Sequence, residues 1–133
     1  GTPLKVFNHG RHRRDFTYID DIAEGVVRVL DRPATHNPSW SGLQPDPATA
    51  RAPYRIYNIG NSEPVELLVY IELIEKALGK TTEKILLPLQ AGDVEHTYAD
   101  VSDLERDVGY RPQVCINEGI ERFVSWYREF YRT

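Results

Sequence analysis

The chain has no methionine and only one cysteine, Cys115, in 133 residues. One thiol cannot close an internal disulfide, so no disulfide framework organises the fold, and we expect a reducing, cytoplasmic setting. Because methionine is missing even at position 1, we expect a piece of a longer polypeptide. No apolar run approaches the roughly 18–20 residues that a membrane helix needs, and no secretory pattern opens the chain. No G-x-G-x-x-G turn or P-loop occurs, so no segment is built to cradle a dinucleotide pyrophosphate. No tyrosine is followed four positions later by lysine, and there is no nucleophile elbow. His9, His12, His36, His96 and Cys115 lack zinc-ligand spacing, and no metal site is expected. A net charge of -4 gives no electrostatic support for a nucleic-acid partner.

What is present reads as one soluble α/β domain, with 41% apolar and 27% charged residues. Leu4–Phe7 reads as a strand running into the turn Asn8-His9-Gly10, followed by three arginines in four positions, Arg11, Arg13 and Arg14. Phe16–Ile19 is β-prone. Asp20 and Asp21 suit a helix N-terminus, and Ile22, Val26, Val29 and Leu30 fall on one face of the helix that follows. Residues 34–53, rich in proline and small polar residues, read as a long surface loop that Trp40 pins to the body. Tyr54–Ile59 reads as a strand and Ser62 as an N-cap. Leu67, Ile71, Ile74 and Leu78 form the stripe of a second helix ending at Gly79. A short strand over Lys84–Leu87, a turn at Gln90–Asp93 and a helix from Ser102 to about Val108 follow. The last helix, capped by Asn117, is expected to turn Ile120, Phe123, Val124, Tyr127, Phe130 and Tyr131 inward.

Three segments carry a resemblance to a known family: VFNHG leading into RDFTYIDDIAEGV, then YRIYNIGNSEPVELL, then LLPLQAGDVEHTYADVSDLERDVGY with GIERFVSWYREFY. Together they resemble the C-terminal substrate region of the extended short-chain dehydrogenase/reductase family of sugar-nucleotide epimerases and dehydratases. Within that family, LPLQAGDV, the long loop and the closing FVSWYREFY are most similar to bacterial UDP-glucuronate epimerases. The resemblance implies a small substrate-binding domain of short strands and about four helices spanning residues 1–133, with the dinucleotide-binding half absent. It also implies a complete enzyme that interconverts UDP-glucuronate and UDP-galacturonate through a 4-keto intermediate. NAD, the catalytic tyrosine–lysine pair and a homodimer contact would all belong to that other half, leaving this piece inactive alone. A UDP-glucuronate decarboxylase, a sugar-nucleotide dehydratase and a stand-alone binding module are the rival readings.

The residue roles follow from the same resemblance. Arg14 holds the position of a diphosphate-binding arginine, and a planar guanidinium suits that anion. Asp93 stands where the family places a carboxylate on the ribose hydroxyls. Gln90 replaces an arginine found in other epimerases, leaving a neutral donor beside the phosphates. Lys5, Val6 and Phe7 match the segment whose backbone reads the uracil edge. Arg11 and Arg13 are expected to face solvent. Asp15, Asp20 and Asp21 are read as structural, with Asp15 pairing to a nearby arginine and the other two capping a helix. The expected partners are a UDP-sugar and the enzyme's own N-terminal half. No catalytic, NAD-binding or metal-binding residue is expected in this chain.

Overall fold

The computed structural model describes residues 2–132. Strand β1 (Leu4–Val6) runs into a 3₁₀ turn at Phe7–Gly10, then strand β2 (Arg13–Arg14) and helix α1 (Ile19–Leu30). After a long connection come strand β3 (Val65–Glu66), helix α2 (Leu67–Leu78) and strand β4 (Lys84–Leu86). Helices α3 (Ser102–Val108) and α4 (Ile116–Tyr131) complete the order. The expected α/β class and four α-helices are present among the described residues.

Two small sheets position everything else. β1 pairs in parallel with β4, Lys5 lying opposite Ile85, and β2 pairs antiparallel with β3, Arg14 opposite Val65. The β1–β4 register continues as a seam between two distant stretches of chain. His9 N–H donates to the Leu87 carbonyl, Arg13 N–H to the Glu95 carbonyl and Thr97 N–H to the Arg13 carbonyl. Residues 4–15 and 83–99 therefore run alongside one another for their whole length. β2 is held on both sides, by β3 and by the segment around His96.

The core is small. Leu104, at 0% exposure, packs with Val108 and Tyr110, and Val29, Tyr57 and Ile59 close over them. Ile71, Ile120 and Val124 are buried as well, and α2 packs against α4. α2 ends as its sequence predicts. Gly79 takes the left-handed conformation at φ 68°, and the next N–H, on Lys80, reaches back to the Glu75 carbonyl. Glu75 also accepts from Lys84 Nζ at 2.8 Å and from Thr82 N–H at 2.7 Å, which ties α2 to β4.

Several expectations fail for physical reasons. No strand forms over Tyr54–Ile59, whose only ladder contact is a bridge from Arg55 to Thr49. The β-formers are there, but no strand lies alongside to pair with them. Phe16–Ile19 likewise stays extended without pairing until α1 begins. Ser62 caps no helix, because it sits at φ 57° and its N–H is taken by Asp15. Trp40 donates from Nε1 to the Asp46 carbonyl, so it ties the loop to itself, not to the body. The N-cap positions of α3 and α4 are Val101 and Cys115, neither of which makes a side-chain cap.

The apolar faces of α1 and α4 also differ from expectation. α1 buries Asp21 and Gly25 and half-buries Ile22 and Val29, while Val26 and Leu30 point outward, Leu30 at 72% exposure. On α4 only Gly119, Ile120 and Val124 are buried, and Phe123, Tyr127, Phe130 and Tyr131 are largely exposed. Both helices carry apolar side chains on more than one side, and the chain supplies a partner for one side only.

Candidate functional site

The seam brings the two predicted ligand-binding turns together. Arg14 and Asp93 lie 79 residues apart in sequence, yet Arg14 Nη2 stands 3.2 Å from Asp93 Oδ1. Nη2 also donates to the Val94 carbonyl at 2.8 Å, and Nη1 donates to the carbonyls of Arg13 and Glu95, each at 3.1 Å. The guanidinium is thus built into the turn it faces. Four of its donors are engaged by protein oxygens, and its side chain remains about a quarter exposed (26%).

Asp93 opens toward solvent at 33% side-chain exposure. Its Oδ1 accepts from Val94 N–H at 2.9 Å as well as from Arg14. His12 lies beneath it, 4% exposed, with Nε2 3.2 Å from Asp93 Oδ2. That approach is off the line of a hydrogen bond, and no other group is aligned with this nitrogen. Asp93 N–H donates to the Gln90 carbonyl at 3.2 Å, so Gln90 opens the same turn, its side chain exposed. Sequence reasoning missed His12. It appears there only as a histidine without zinc spacing, and nothing local marks it as buried.

The remaining predicted residues lie along the same seam. Val6 is 1% exposed, its side chain in the core, and its carbonyl accepts from Leu87 N–H at 2.8 Å. Lys5 is exposed and Phe7 is half-buried. Backbone groups alternate in direction along a strand, so those of Lys5 point away from β4. That edge of β1 has no strand partner among the described residues.

Asp15, next to Arg14, pairs with no arginine. Its carboxylate accepts backbone N–H groups from Asn61 (3.1 Å), Ser62 (3.0 Å) and Ala99 (3.0 Å). It joins the loop after residue 60 to the end of the seam. Gly60 fits there because a Cβ would overlap that of Ala99 and stand 2.8 Å from Asp15 Oδ2. Asp21 plays the same kind of part at α1. It accepts from Tyr110 Oη at 2.7 Å and from the N–H groups of Gln113 and Val114. Burial, and then the bond to Asp21, pushes the Tyr110 hydroxyl well above the ordinary phenol range. Asp20 lies at the surface beside Arg122. Arg13 is exposed and donates to the Pro64 carbonyl, and Arg11 is exposed. Among the described residues there is no group of three or more His, Cys, Asp or Glu side chains placed to hold a metal ion.

Residues 1–60 match the NAD dependent epimerase/dehydratase family. Protein CapI of Staphylococcus aureus is 49% identical over 129 residues, which is 97% of this chain and 39% of that protein. The chain is a relative of this epimerase/dehydratase family. A probable UDP-glucuronate 4-epimerase of Rhizobium meliloti is 40% identical over 136 residues, covering 99% of this chain and 39% of its own length. The structure of UDP-glucuronic acid 4-epimerase from Bacillus cereus in complex with UDP-glucuronic acid and NAD superposes with a TM-score of 0.73 at 29% identity. It matches 98% of this chain and 36% of its own. The chain therefore spans about two-fifths of the length of the family members it matches.

β1 leads into a left-handed turn through Asn8 and His9, and β4 into an irregular segment. Neither strand feeds a helix N-terminus through a glycine-rich turn, the arrangement with which a doubly wound α/β fold cradles a dinucleotide.

Proposed function

We propose that this chain is the UDP-sugar-holding part of a NAD-dependent UDP-glucuronate 4-epimerase, and that alone it does not turn substrate over. One observation carries the reading. The arginine and the carboxylate that the family resemblance assigns to diphosphate and ribose, 79 positions apart in sequence, meet at a single half-open turn. Relatives 35–40% identical over nearly the whole chain are UDP-glucuronate 4-epimerases of Arabidopsis thaliana and a probable one of Rhizobium meliloti, which supports the reading.

In this reading each part of the seam has a task. The free edge of β1 at Lys5, with Phe7 just beyond the strand, offers backbone groups to the uracil, while the Val6 carbonyl accepts from Leu87 N–H on the β4 side. Asp93 reads the ribose. Arg14 contributes its charge and its remaining donor to the diphosphate while bracing the turn. Gripping the unreactive nucleotide lets the sugar move during inversion without leaving, so binding energy remote from the reacting carbon retains the intermediate. In this reading the hydride and proton chemistry belongs to the rest of the enzyme.

The exposed apolar faces fit the same picture. Ile19, Val26, Val27 and Leu30 form one stripe on α1, and Phe123, Trp126, Phe130 and Tyr131 line α4. In the complete enzyme these faces pack on the dinucleotide-binding half. The reading is tested by incubating the complete enzyme with NAD and UDP-glucuronate and following UDP-galacturonate by chromatography. We expect interconversion from either side. Loss of carbon dioxide from the sugar, or no reaction, overturns the assignment.

A further inference from the structure

Residues 54–60 have the pattern of a strand but no sheet to join. Arg55, Tyr57 and Ile59 are half-buried, while Tyr54, Ile56 and Asn58 are exposed, which is the two-residue period of extended chain. The inward set is anchored. Tyr57 and Ile59 close over the Leu104 core, and Arg55 Nε and Tyr57 Oη both donate to Asp107 Oδ2, at 3.0 and 3.1 Å. α1 lies against the same segment, with Ile59 Cδ1 3.3 Å from where a Cβ on Gly25 would stand.

The backbone of this segment is only half used. Ile56 N–H donates to the Ala48 carbonyl at 3.0 Å, which places that edge on the side of the long loop. Backbone groups alternate in direction along extended chain, so those of Tyr57 and Ile59 point to the opposite edge. There neither residue has a backbone hydrogen-bond partner among the described residues. Proteins guard a free edge with a charge, a proline or a bulge, because an open edge recruits any strand that meets it. Ile56–Gly60 carries no charge and no proline, and Ile56, Tyr57 and Ile59 are strong β-formers. An unguarded edge of this kind is one that the working protein covers.

The neighbours say what covers it. α1 packs one side on the segment and leaves Val26, Val27 and Leu30 exposed on another. A helix followed by the extended chain it packs upon is half of an α/β crossover unit, and the other half is a neighbouring strand. The two sheets of this chain, β1–β4 and β2–β3, do not supply it. The chain spans about two-fifths of the length of its relatives, so the complete polypeptide has further strands to offer.

Resting on the functional reading above, we propose that residues 55–60 are an edge awaiting β-augmentation. A strand of the dinucleotide-binding half pairs with the backbone of Tyr57 and Ile59, so that a sheet crosses from one half of the enzyme to the other. The joint is built from main-chain hydrogen bonds, and Asp107, through Arg55 and Tyr57, holds the segment in place for its partner.

The test is residue-resolved hydrogen exchange on the complete enzyme and on this chain alone, the latter at two concentrations. In the complete enzyme the Tyr57 and Ile59 amides are expected to exchange about a hundredfold or more slower than the Asn58 amide between them, once intrinsic rates are allowed for. In this chain alone that alternation is absent. Burial beneath another domain without strand pairing would slow all three amides together. Uniform slowing in the complete enzyme, or none, overturns the proposal. So does an alternation that this chain shows by itself and that strengthens with concentration, because the occupant is then a second copy. An enzyme that shows the alternation but makes no UDP-galacturonate overturns the functional reading and leaves the joint standing. An active enzyme without the alternation does the reverse.

Discussion

The seam formed by residues 4–15 and 83–99 differs sharply from the outer faces of α1 and α4. Along the seam backbone hydrogen bonds join the two stretches, and the turns are tied by Asp15, Arg14 and Asp93. On the helices, Leu30 and Phe130 stand 72% and 64% exposed, and the aromatic rings of α4 stack mainly on one another. One region is complete and the other lacks a counterpart. That contrast teaches where a part-length chain is self-sufficient. It carries the Arg14–Asp93 turn whole, and it leaves apolar faces of α1 and α4 exposed, the faces that the proposed function packs on the rest of the enzyme.

Breaking the seam gives the largest effect. Asp15→Ala strips three backbone N–H groups of their acceptor and is expected to cost about 3 kcal/mol or more in urea denaturation, since bonds to a charged group are the strong ones. A cost near zero would show that the seam is not what holds these loops. Gly60→Ala forces a methyl into Ala99 and Asp15 and is expected to cost about 1–3 kcal/mol by the same measurement.

Two smaller effects sharpen the contrast. Lys84, and then the Thr82 N–H, hold the Glu75 carboxyl below the ordinary carboxylate range. A depressed pKa in the folded state contributes stability that is present above the unfolded value and lost as pH falls through the folded one. Glu75→Gln is therefore expected to lower the melting temperature at neutral pH, and that difference should close as the solution is acidified below the carboxylate range. A gap that persists in acid would assign the loss to packing. At the other extreme, Leu30→Lys in this chain alone is expected to shift stability by no more than about 0.5 kcal/mol, as surface substitutions do. In the complete enzyme the same change should destabilise. Equal, negligible effects in both would mean that α1 meets nothing.

The same contrast explains what could be read from sequence. The α2 stripe and its stop at Gly79 were legible because periodicity and a C-cap are local properties. Tyr54–Ile59 was misread because β propensity records fitness for a sheet, and no strand here pairs with it. The inward face given to α4 failed for a related reason. Amphipathic spacing shows that a face wants burial, not whether a partner is at hand. At the site, Arg14 and Asp93 were named through family resemblance, and their 3.2 Å approach is a tertiary fact that no spacing records. The inward turn of the guanidinium, the three N–H groups on Asp15 and the burial of His12 belong to the same class. Each depends on chain that lies far off in sequence, from 46 positions between Asp15 and Asn61 to 84 between Asp15 and Ala99.

The central claim is that Arg14 and Asp93 act together on one nucleotide. It is tested most directly by a double-mutant cycle on UDP affinity in the complete enzyme, using Arg14→Ala, Asp93→Asn and the pair, with folding checked by circular dichroism. Arg14→Ala is expected to weaken UDP about ten- to hundredfold, the equivalent of roughly 1.5–3 kcal/mol. The double variant should lose clearly less than the sum of the singles, because each residue braces the other. A folded Arg14→Ala enzyme that binds UDP as tightly as the wild type would contradict the account.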